Sequence, residues 1–517
     1  MKASIHKSIF LACGIFLAMF QGAAYAQSSS GTRVQQLPLS GSPGGNSVST
    51  QQSATNSSQP GTNTISTILQ IEGRYQGSVL DPTAADSSVP LTLGDAIRRG
   101  LQFNLGAVSA RNSLRQARAE RLAALSAMLP KVNASLGMSE EKVDLQAEGF
   151  SSSTLERVSP TLASALPATV GPFHYYDVRG TVSENAFDLT ALHNYRSQTE
   201  LQHASELSDR DARELVILAV SGEYLNVLAS QTLVQSQTAQ VQYAQSSYDQ
   251  AVAQHTAGTK ALIDAQRSRV QLTTEQQRLR SDQADLKKQK LLLARMLGIP
   301  LGTQLALAEA LTPNPQAFDP LSTLIARGIE QRADLKSMEA SLRAAEQALK
   351  AARAERLPTA GISGFYGAQG ITPASGGNGV FSVTASINIP LWQGRRTEAD
   401  IREAQAVVDQ RRAEYQDKRG SVELEVRSDY IDVTVANDQV SVADENRKLA
   451  LDTLRQSQDR FAAGVTTSVE VVQSEESLAA AERDYINSLY SQNLALISLW
   501  RATSDIEQHI SGLLKGN

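Results

Sequence analysis

The chain has 517 residues, a formal net charge of −5 and a single cysteine. A charge this close to balance gives no case for nucleic-acid binding. Aromatic residues make up only 5% of the sequence, which suits long helices better than one large packed core. The lone cysteine, Cys13, lies in a segment expected to be removed. A mature chain without cysteine fits an oxidising compartment.

Residues 1–26 have the pattern of a secretory signal peptide. Lys2 and Lys7 precede an apolar run, and an Ala-x-Ala site ends at Ala26. The alternative is a lipoprotein signal using Cys13, but only about four apolar residues precede it and they match a lipobox poorly. We therefore predict cleavage after Ala26 without lipidation. No later stretch holds about 20 consecutive apolar residues, so insertion into a membrane would have to use strands.

Residues 27–90 are rich in Ser, Gly, Gln, Thr and Pro and poor in charged and aromatic side chains. Such a segment buries too little apolar surface to offset the entropy lost on ordering. We predict a disordered N-terminal extension. Its one apolar cluster, Ile65–Tyr75, is the part that could dock on a folded body.

The rest of the chain reads as an internal duplication. In each half the pattern predicts a helix, two strands and a long proline-free helical region. In the first half, 91–297, these are 91–129, 132–138, 175–187 and 188–297. A connector broken by Pro and Gly follows at 298–320. The second half, 321–510, repeats this order. It has a helix at 321–357, strands at 360–368 and 381–391, and a long helical region from 391 onward. A short tail follows at 511–517.

Matching residues support the duplication directly. Tyr224 lies in a Glu-Tyr-Leu-Asn-Val segment and Tyr430 in an Asp-Tyr-Ile-Asp-Val segment. Gly258 and Gly464 each follow an alanine, and both pairs are separated by 206 positions. The second glycine marks either a tip between two antiparallel helices or a break in one helix. A helix over 397–461 would be about 95 Å long, which no ordinary globular core needs.

The strand 381–391 alternates over its whole length. Its apolar side chains are Phe381, Val383, Ala385, Ile387, Ile389 and Leu391, and the polar ones between them are Ser382, Thr384, Ser386 and Asn388. Four strands cannot close a membrane barrel, since small barrels begin at about eight strands. An open edge in lipid would leave backbone groups unpaired. If the strands enter a membrane, several chains must share one barrel.

The sequence resembles the TolC-like outer-membrane factors, the exit ducts of efflux pumps and type I secretion systems, over about 91–509. The resemblance is carried by the Leu-Thr-Leu-Gly-Asp-Ala-Ile opening at 91–97, by Asn-Ile-Pro-Leu-Trp-Gln-Gly at 388–394 and by the two glycine tips. It implies a mostly α fold with membrane β: a homotrimer with a twelve-stranded β-barrel, four strands from each chain. A long periplasmic α-helical coiled-coil barrel continues it.

The resemblance also implies a periplasmic gate. The position of the family's inward carboxylate ring is Glu470, and that of a second ring is Gln473, which carries no charge. Asp264 corresponds to an aspartate that helps to hold the gate shut. Its expected partners correspond to Phe461 and Thr466, and neither of these side chains can make the expected bond. Gly258 and Gly464 mark the tips for adaptor docking.

We therefore predict the outer-membrane channel component of a tripartite efflux pump or type I secretion system, docking with a periplasmic adaptor and an inner-membrane transporter. The alternative is a periplasmic coiled-coil structural or adaptor protein that never inserts, which the alternating strand speaks against. No catalytic constellation, cofactor motif or metal-ligand spacing is evident, so we predict neither an enzyme nor a metal or cofactor site.

Overall fold

A computed structural model describes residues 47–54, 65–81, 90–144, 169–316, 318–371 and 377–514. The predicted signal peptide, its cleavage site and Cys13 lie outside these residues. The chain divides into two compact units. We call them the strand unit, with described parts in Ala119–Thr199 and Arg343–Asp409, and the helical unit, with described parts in Leu39–Arg118, Glu200–Leu342 and Gln410–Asn517.

The strand unit contains one antiparallel sheet of four strands, in the order β3-β4-β5-β6. The strands are β3 Lys131–Asp144, β4 Thr169–Phe187, β5 Thr359–Gly370 and β6 Asn378–Asn388. The four predicted strands are confirmed, although β3 and β4 run further than the sequence pattern indicated. The predicted end of β6 at residue 391 is wrong, because the strand stops before Pro390, which has no N–H for a ladder hydrogen bond.

The register places large apolar side chains on one face of this sheet. Val132 lies opposite Val182, Leu136 opposite Val178, and Tyr366 opposite Phe381. Most of the large apolar side chains on this face are exposed, and they include Val132, Leu136, Met138, Val178, Val182, Ile362, Tyr366, Phe381, Val383 and Ile387. The opposite face is mainly polar. An apolar surface of this extent requires an apolar environment.

Neighbouring residues on β6 allow the two faces to be compared. Val383, 76% exposed, lies on the apolar face, and Thr384 lies on the polar face. We predict that Val383→Lys reduces the fraction of protein that stays in membranes after alkaline carbonate extraction. A lysine on a lipid-contacting strand face costs roughly 2–4 kcal/mol at mid-depth. The matched Thr384→Lys variant should behave like wild type, and equal losses in the two variants would contradict this orientation.

The predicted disorder of residues 27–90 is wrong for two described segments of the helical unit. β1 Val48–Ala54 and β2 Ile65–Ile71 form an antiparallel pair. The pairing gives their backbone groups hydrogen-bond partners, which composition alone does not predict. Leu69 packs beside Gly222, and the buried Tyr75 packs beside Gly106. The apolar cluster therefore docks.

Each half begins with two helices where the sequence pattern predicted one. In the first half they are α1 Leu93–Phe103 and α2 Leu105–Ser126, and in the second α5 Leu321–Gln331 and α6 Ala333–Ala354. The first helix begins after Thr92, whose Oγ1 accepts a hydrogen bond from the Asp95 amide at 3.1 Å and caps the helix. Asn104 interrupts the first helix: its side chain donates to the Tyr75 carbonyl at 2.8 Å and accepts from the Gly106 amide at 2.9 Å.

The long helices are α3 Leu189–Thr256 and α4 Leu262–Met296 in the first half, and α7 Arg396–Ala462 and α8 Ser468–Ala502 in the second, with a final turn, α9 Ile506–His509. Ser457 and Ser474 hydroxyls meet at 2.8 Å across the second glycine, so α7 and α8 form an antiparallel hairpin. No described helix combines the length and the apolar character needed to cross a membrane.

A buried ionic network joins the helices of the helical unit. Arg332, which is 1% exposed, lies between α5 and α6; it contacts Glu425 at 2.6 Å and Asp334 through two bonds at 2.7 and 3.0 Å. Arg501 on α8 also pairs with Glu425, and Lys418 contacts Asp334 at 2.7 Å. Burial raises the pKa of Asp334, but bonding from Arg332 outweighs it and holds that pKa well below its usual range.

Arg332 should contribute far more to stability than an exposed arginine. We predict that Arg332→Met lowers the free energy of unfolding by about 3–5 kcal/mol, because it removes the buried cation of the network and leaves Glu425 and Asp334 to Arg501 and Lys418 alone. The control is Arg427→Met, which removes an exposed pair with Glu423 and should cost about 1 kcal/mol or less. Thermal melting followed by circular dichroism in detergent compares the two. Similar shifts for both variants would contradict the assignment.

Candidate functional site

Glycine turns end α3 and α7, as the sequence pattern predicted. Gly258 and Gly464 have φ angles of +70° and +74°, a region that side chains with a Cβ rarely adopt. In the first turn the Thr259 amide donates to the Gln254 carbonyl at 3.0 Å, and in the second the Val465 amide donates to Arg460 at 2.9 Å. Both helices therefore end in a Schellman motif, and both glycines are exposed at a tip.

The carboxylate of Glu470 is bound within its own hairpin. Glu470 is the third residue of α8 and is partly exposed. Arg460 Nη1, from the last turn of α7, lies 3.0 Å from its Oε1. The Thr466 hydroxyl donates to its Oε2. A carboxylate in the first turn of a helix is also favoured by the helix dipole. The Thr466 hydroxyl therefore bonds to Glu470 within the second hairpin rather than to Asp264.

Asp264 connects the two tips. It is the third residue of α4. Its Oδ1 accepts a hydrogen bond at 2.6 Å from the hydroxyl of Ser468, which is the first residue of α8. The prediction that Phe461 and Thr466 do not supply the gate bond of Asp264 stays a prediction. The sequence reasoning missed Ser468. Its only local signal was a hydroxyl residue opening a helix directly after the tip.

A second contact between the tips comes from Lys260. Its Nζ donates to the Thr466 carbonyl at 2.9 Å and lies 5.3 Å from the centre of the Phe461 ring, a cation–π distance. Phe461 itself is 2% exposed and packs in an apolar cluster with Leu454 and Val471. Within the chain it acts through packing. Sequence reasoning also missed Lys260.

Gln473 is exposed one turn beyond Glu470, beside an open groove near the tips. The groove runs between the first turns of α4 and α8, and its apolar lining consists of Ile263, Val270, Val469 and Val472. Among the described residues no group of three or more His, Cys, Asp or Glu side chains could hold a metal ion. The tips therefore offer polar contacts and an apolar groove.

Known proteins are similar to this chain in sequence and in fold. The model of the outer membrane efflux protein family matches residues 324–504. The chain is 27% identical to outer membrane protein OprJ of Pseudomonas aeruginosa over 350 residues, 63% of this chain and 69% of OprJ. It is 25% identical to cation efflux system protein CusC of Escherichia coli over 337 residues, 61% and 71% of the two chains. The CmeC outer membrane channel of Campylobacter jejuni matches with a TM-score of 0.69 at 16% identity, over 89% of this chain and 98% of CmeC.

The chain is therefore similar to outer membrane efflux proteins, in sequence over residues 324–504 and in fold over most of its length. The resemblance predicted from the sequence is confirmed, and so is the fold class of helices combined with a four-stranded sheet. The roles of the gate residues Glu470, Gln473, Asp264 and Phe461 stay predictions.

We expect the buried carboxyl group of Glu475 to make the stability of the hairpins depend on pH. Its side chain is 4% exposed; Oε1 accepts from the Ser247 hydroxyl at 2.6 Å, and Oε2 has no partner. Burial, with repulsion from Glu275 and Glu476, raises the pKa of Glu475. The stability from this group is full below the ordinary pKa of a glutamate and is lost as the pH rises through the raised value.

We therefore predict that Glu475→Gln raises the melting temperature at pH 8 and changes it little at pH 4, where wild-type Glu475 is protonated. Melting in detergent across this range measures the difference. Glu476→Gln is the matched control, since Glu476 is the exposed neighbour on the same helix. A Glu475→Gln effect that does not vary with pH would contradict the raised pKa.

Proposed function

We propose that the protein is a passive exit duct in the outer membrane, the channel component of a tripartite efflux pump or type I secretion system. The observation that carries the proposal is the four-stranded sheet with one exposed apolar face, in a chain that matches the outer membrane efflux protein model over residues 324–504. A coiled-coil protein that never inserts would have no use for this face. The signal at 1–26 would direct the chain out of the cytoplasm.

The duct requires several copies of the chain. In the order β3-β4-β5-β6, the outer strands β3 and β6 each pair on one side only within the described chain. Unpaired backbone groups are costly in lipid, so these edges need partners. Three copies that pair β3 of one with β6 of the next would form a closed sheet of twelve strands. The polar face would then line the passage.

The contacts between the tips would keep the periplasmic end closed. Ser468 donates to Asp264, and Lys260 donates to the Thr466 carbonyl, so both bonds link the first hairpin to the second within one chain. Opening that moves one hairpin against the other breaks both. This latch takes the place of the bonds that Phe461 and Thr466 cannot make.

The exported cargo would be chosen by the partners. The duct holds no energy source of its own, so an adaptor and an inner-membrane transporter would supply selection and energy, with the adaptor contacting the tips near Gly258 and Gly464. Relatives carry different cargo in their names: CusC is a cation efflux protein and OpmQ of Pseudomonas putida a pyoverdine export protein. Similarity to these proteins alone therefore does not name the substrate.

Conductance in a planar lipid bilayer tests the duct and the latch together. We predict small channels from the purified wild-type protein and a higher mean conductance from Ser468→Ala. The lost bond, a hydroxyl to a carboxylate, is worth roughly 1.5–3 kcal/mol, which shifts a closed-to-open equilibrium about tenfold or more. The control is Ser477→Ala on the same helix, where the hydroxyl bonds only to the Gln473 carbonyl at 2.8 Å.

The experiment can reject the duct and the latch independently. No channels from protein shown to be folded would overturn the duct and favour the coiled-coil alternative. Channels with the same conductance in wild type and Ser468→Ala would keep the duct and reject the latch.

A further inference from the structure

We propose that Arg460 sets the ion selectivity of the tip by neutralising Glu470, so that the constriction carries a ring of ion pairs rather than a ring of bare carboxylates. The proposal rests on the duct described above. It adds a specificity-determining residue that the sequence pattern did not single out.

The geometry of the pair supports a lasting interaction. Arg460 Nη1 and Glu470 Oε1 are 3.0 Å apart, and the side chains are 57% and 36% exposed. The buried Thr466 binds the other carboxylate oxygen, so both oxygens are occupied by groups of the same hairpin. Because Arg460 lies in the last turn of α7 and Glu470 in the first turn of α8, the pair spans one short turn. It therefore does not depend on the contacts between the two hairpins.

The internal repeat shows that the pair belongs to the second tip alone. A shift of 206 positions relates Glu470 to Asp264, so the carboxylate is present in both halves. The same shift relates Arg460 to Gln254, which has no charge. Asp264 instead meets a serine hydroxyl. In the second tip, unlike the first, the carboxylate of Glu470 is thus paired with an arginine, Arg460.

The charge balance decides the selectivity. Bare carboxylates around a narrow passage attract cations and raise their local concentration. Three Glu470 residues with three Arg460 residues carry no net charge, and opposite charges in contact leave a field that falls off quickly with distance. We expect wild-type channels to discriminate weakly between K⁺ and Cl⁻.

Reversal potentials in a KCl gradient across a planar bilayer test the pair, using the full-length mature protein. Arg460→Gln should raise the K⁺ to Cl⁻ permeability ratio on the order of fivefold, because it uncovers the carboxylates. Glu470→Gln should lower the ratio, and the double variant should return close to wild type. Arg460→Lys keeps the charge and should also match wild type. Arg455→Gln, which removes an exposed arginine of the same helix, is the control.

The outcomes separate the proposal from the function it rests on. Selectivity that is unchanged by Arg460→Gln, in channels that form normally, would overturn the proposal while leaving the duct intact. A change of the same size in Arg455→Gln would also overturn it, since any arginine on the helix would then suffice. Folded variants and wild type that all lack channels would instead refute the duct. Size-exclusion chromatography and thermal melting confirm folding for each variant.

Discussion

The structure depends on one constraint: backbone groups placed in lipid must be hydrogen-bonded. The sheet exposes apolar side chains such as Phe381 and Val383 on one face, which suits lipid, yet within the described residues its outer strands β3 and β6 pair on one side only. A single such sheet cannot satisfy both conditions in lipid. The proposed assembly with other copies would resolve the conflict. Within one chain the sheet already combines the two halves, since β4 from the first half pairs with β5 from the second. The sheet thus already joins the two repeats before any copies meet.

The helical unit solves a different problem, which is to hold very long helices in a fixed register. Helices such as α3, with 68 residues, pack along long seams whose buried side chains include many Ala, Val and Leu. Specific polar contacts add register. Arg332, between α5 and α6, and Arg501 on α8 both pair with Glu425 on α7, and Asp264 meets Ser468 near the tips. The tips consequently combine close apolar packing around Phe461 with polar bonds that can be broken and remade.

Sequence reasoning succeeded where a residue's role follows from its local backbone and failed where it depends on which segments pack together. Gly258 and Gly464 could be predicted because a helix end with positive φ favours glycine, and the polar–apolar alternation of β6 follows from strand geometry. Lys260 and Ser468 carry no such backbone signal, since their partners are set by how the two hairpins meet. The partner of Arg460 is set by how α8 folds back on α7. The pair β1–β2 was missed for a related reason: a Ser-rich composition predicts disorder until pairing and the docking of Leu69 and Tyr75 are known.

The shared sheet can be tested directly by disulfide cross-linking, because the chain has no cysteine after Cys13. Ser135→Cys on β3 would be combined in turn with Ser382→Cys, Thr384→Cys and Ser386→Cys on β6, all on the polar face. A disulfide forms only when the Cα atoms approach within about 7 Å. We predict covalent dimers and trimers on a non-reducing gel for one of these registers and none for the single-cysteine variants. Folded, membrane-inserted protein that stays monomeric in all three registers would contradict the pairing of β3 with β6 of a neighbouring copy.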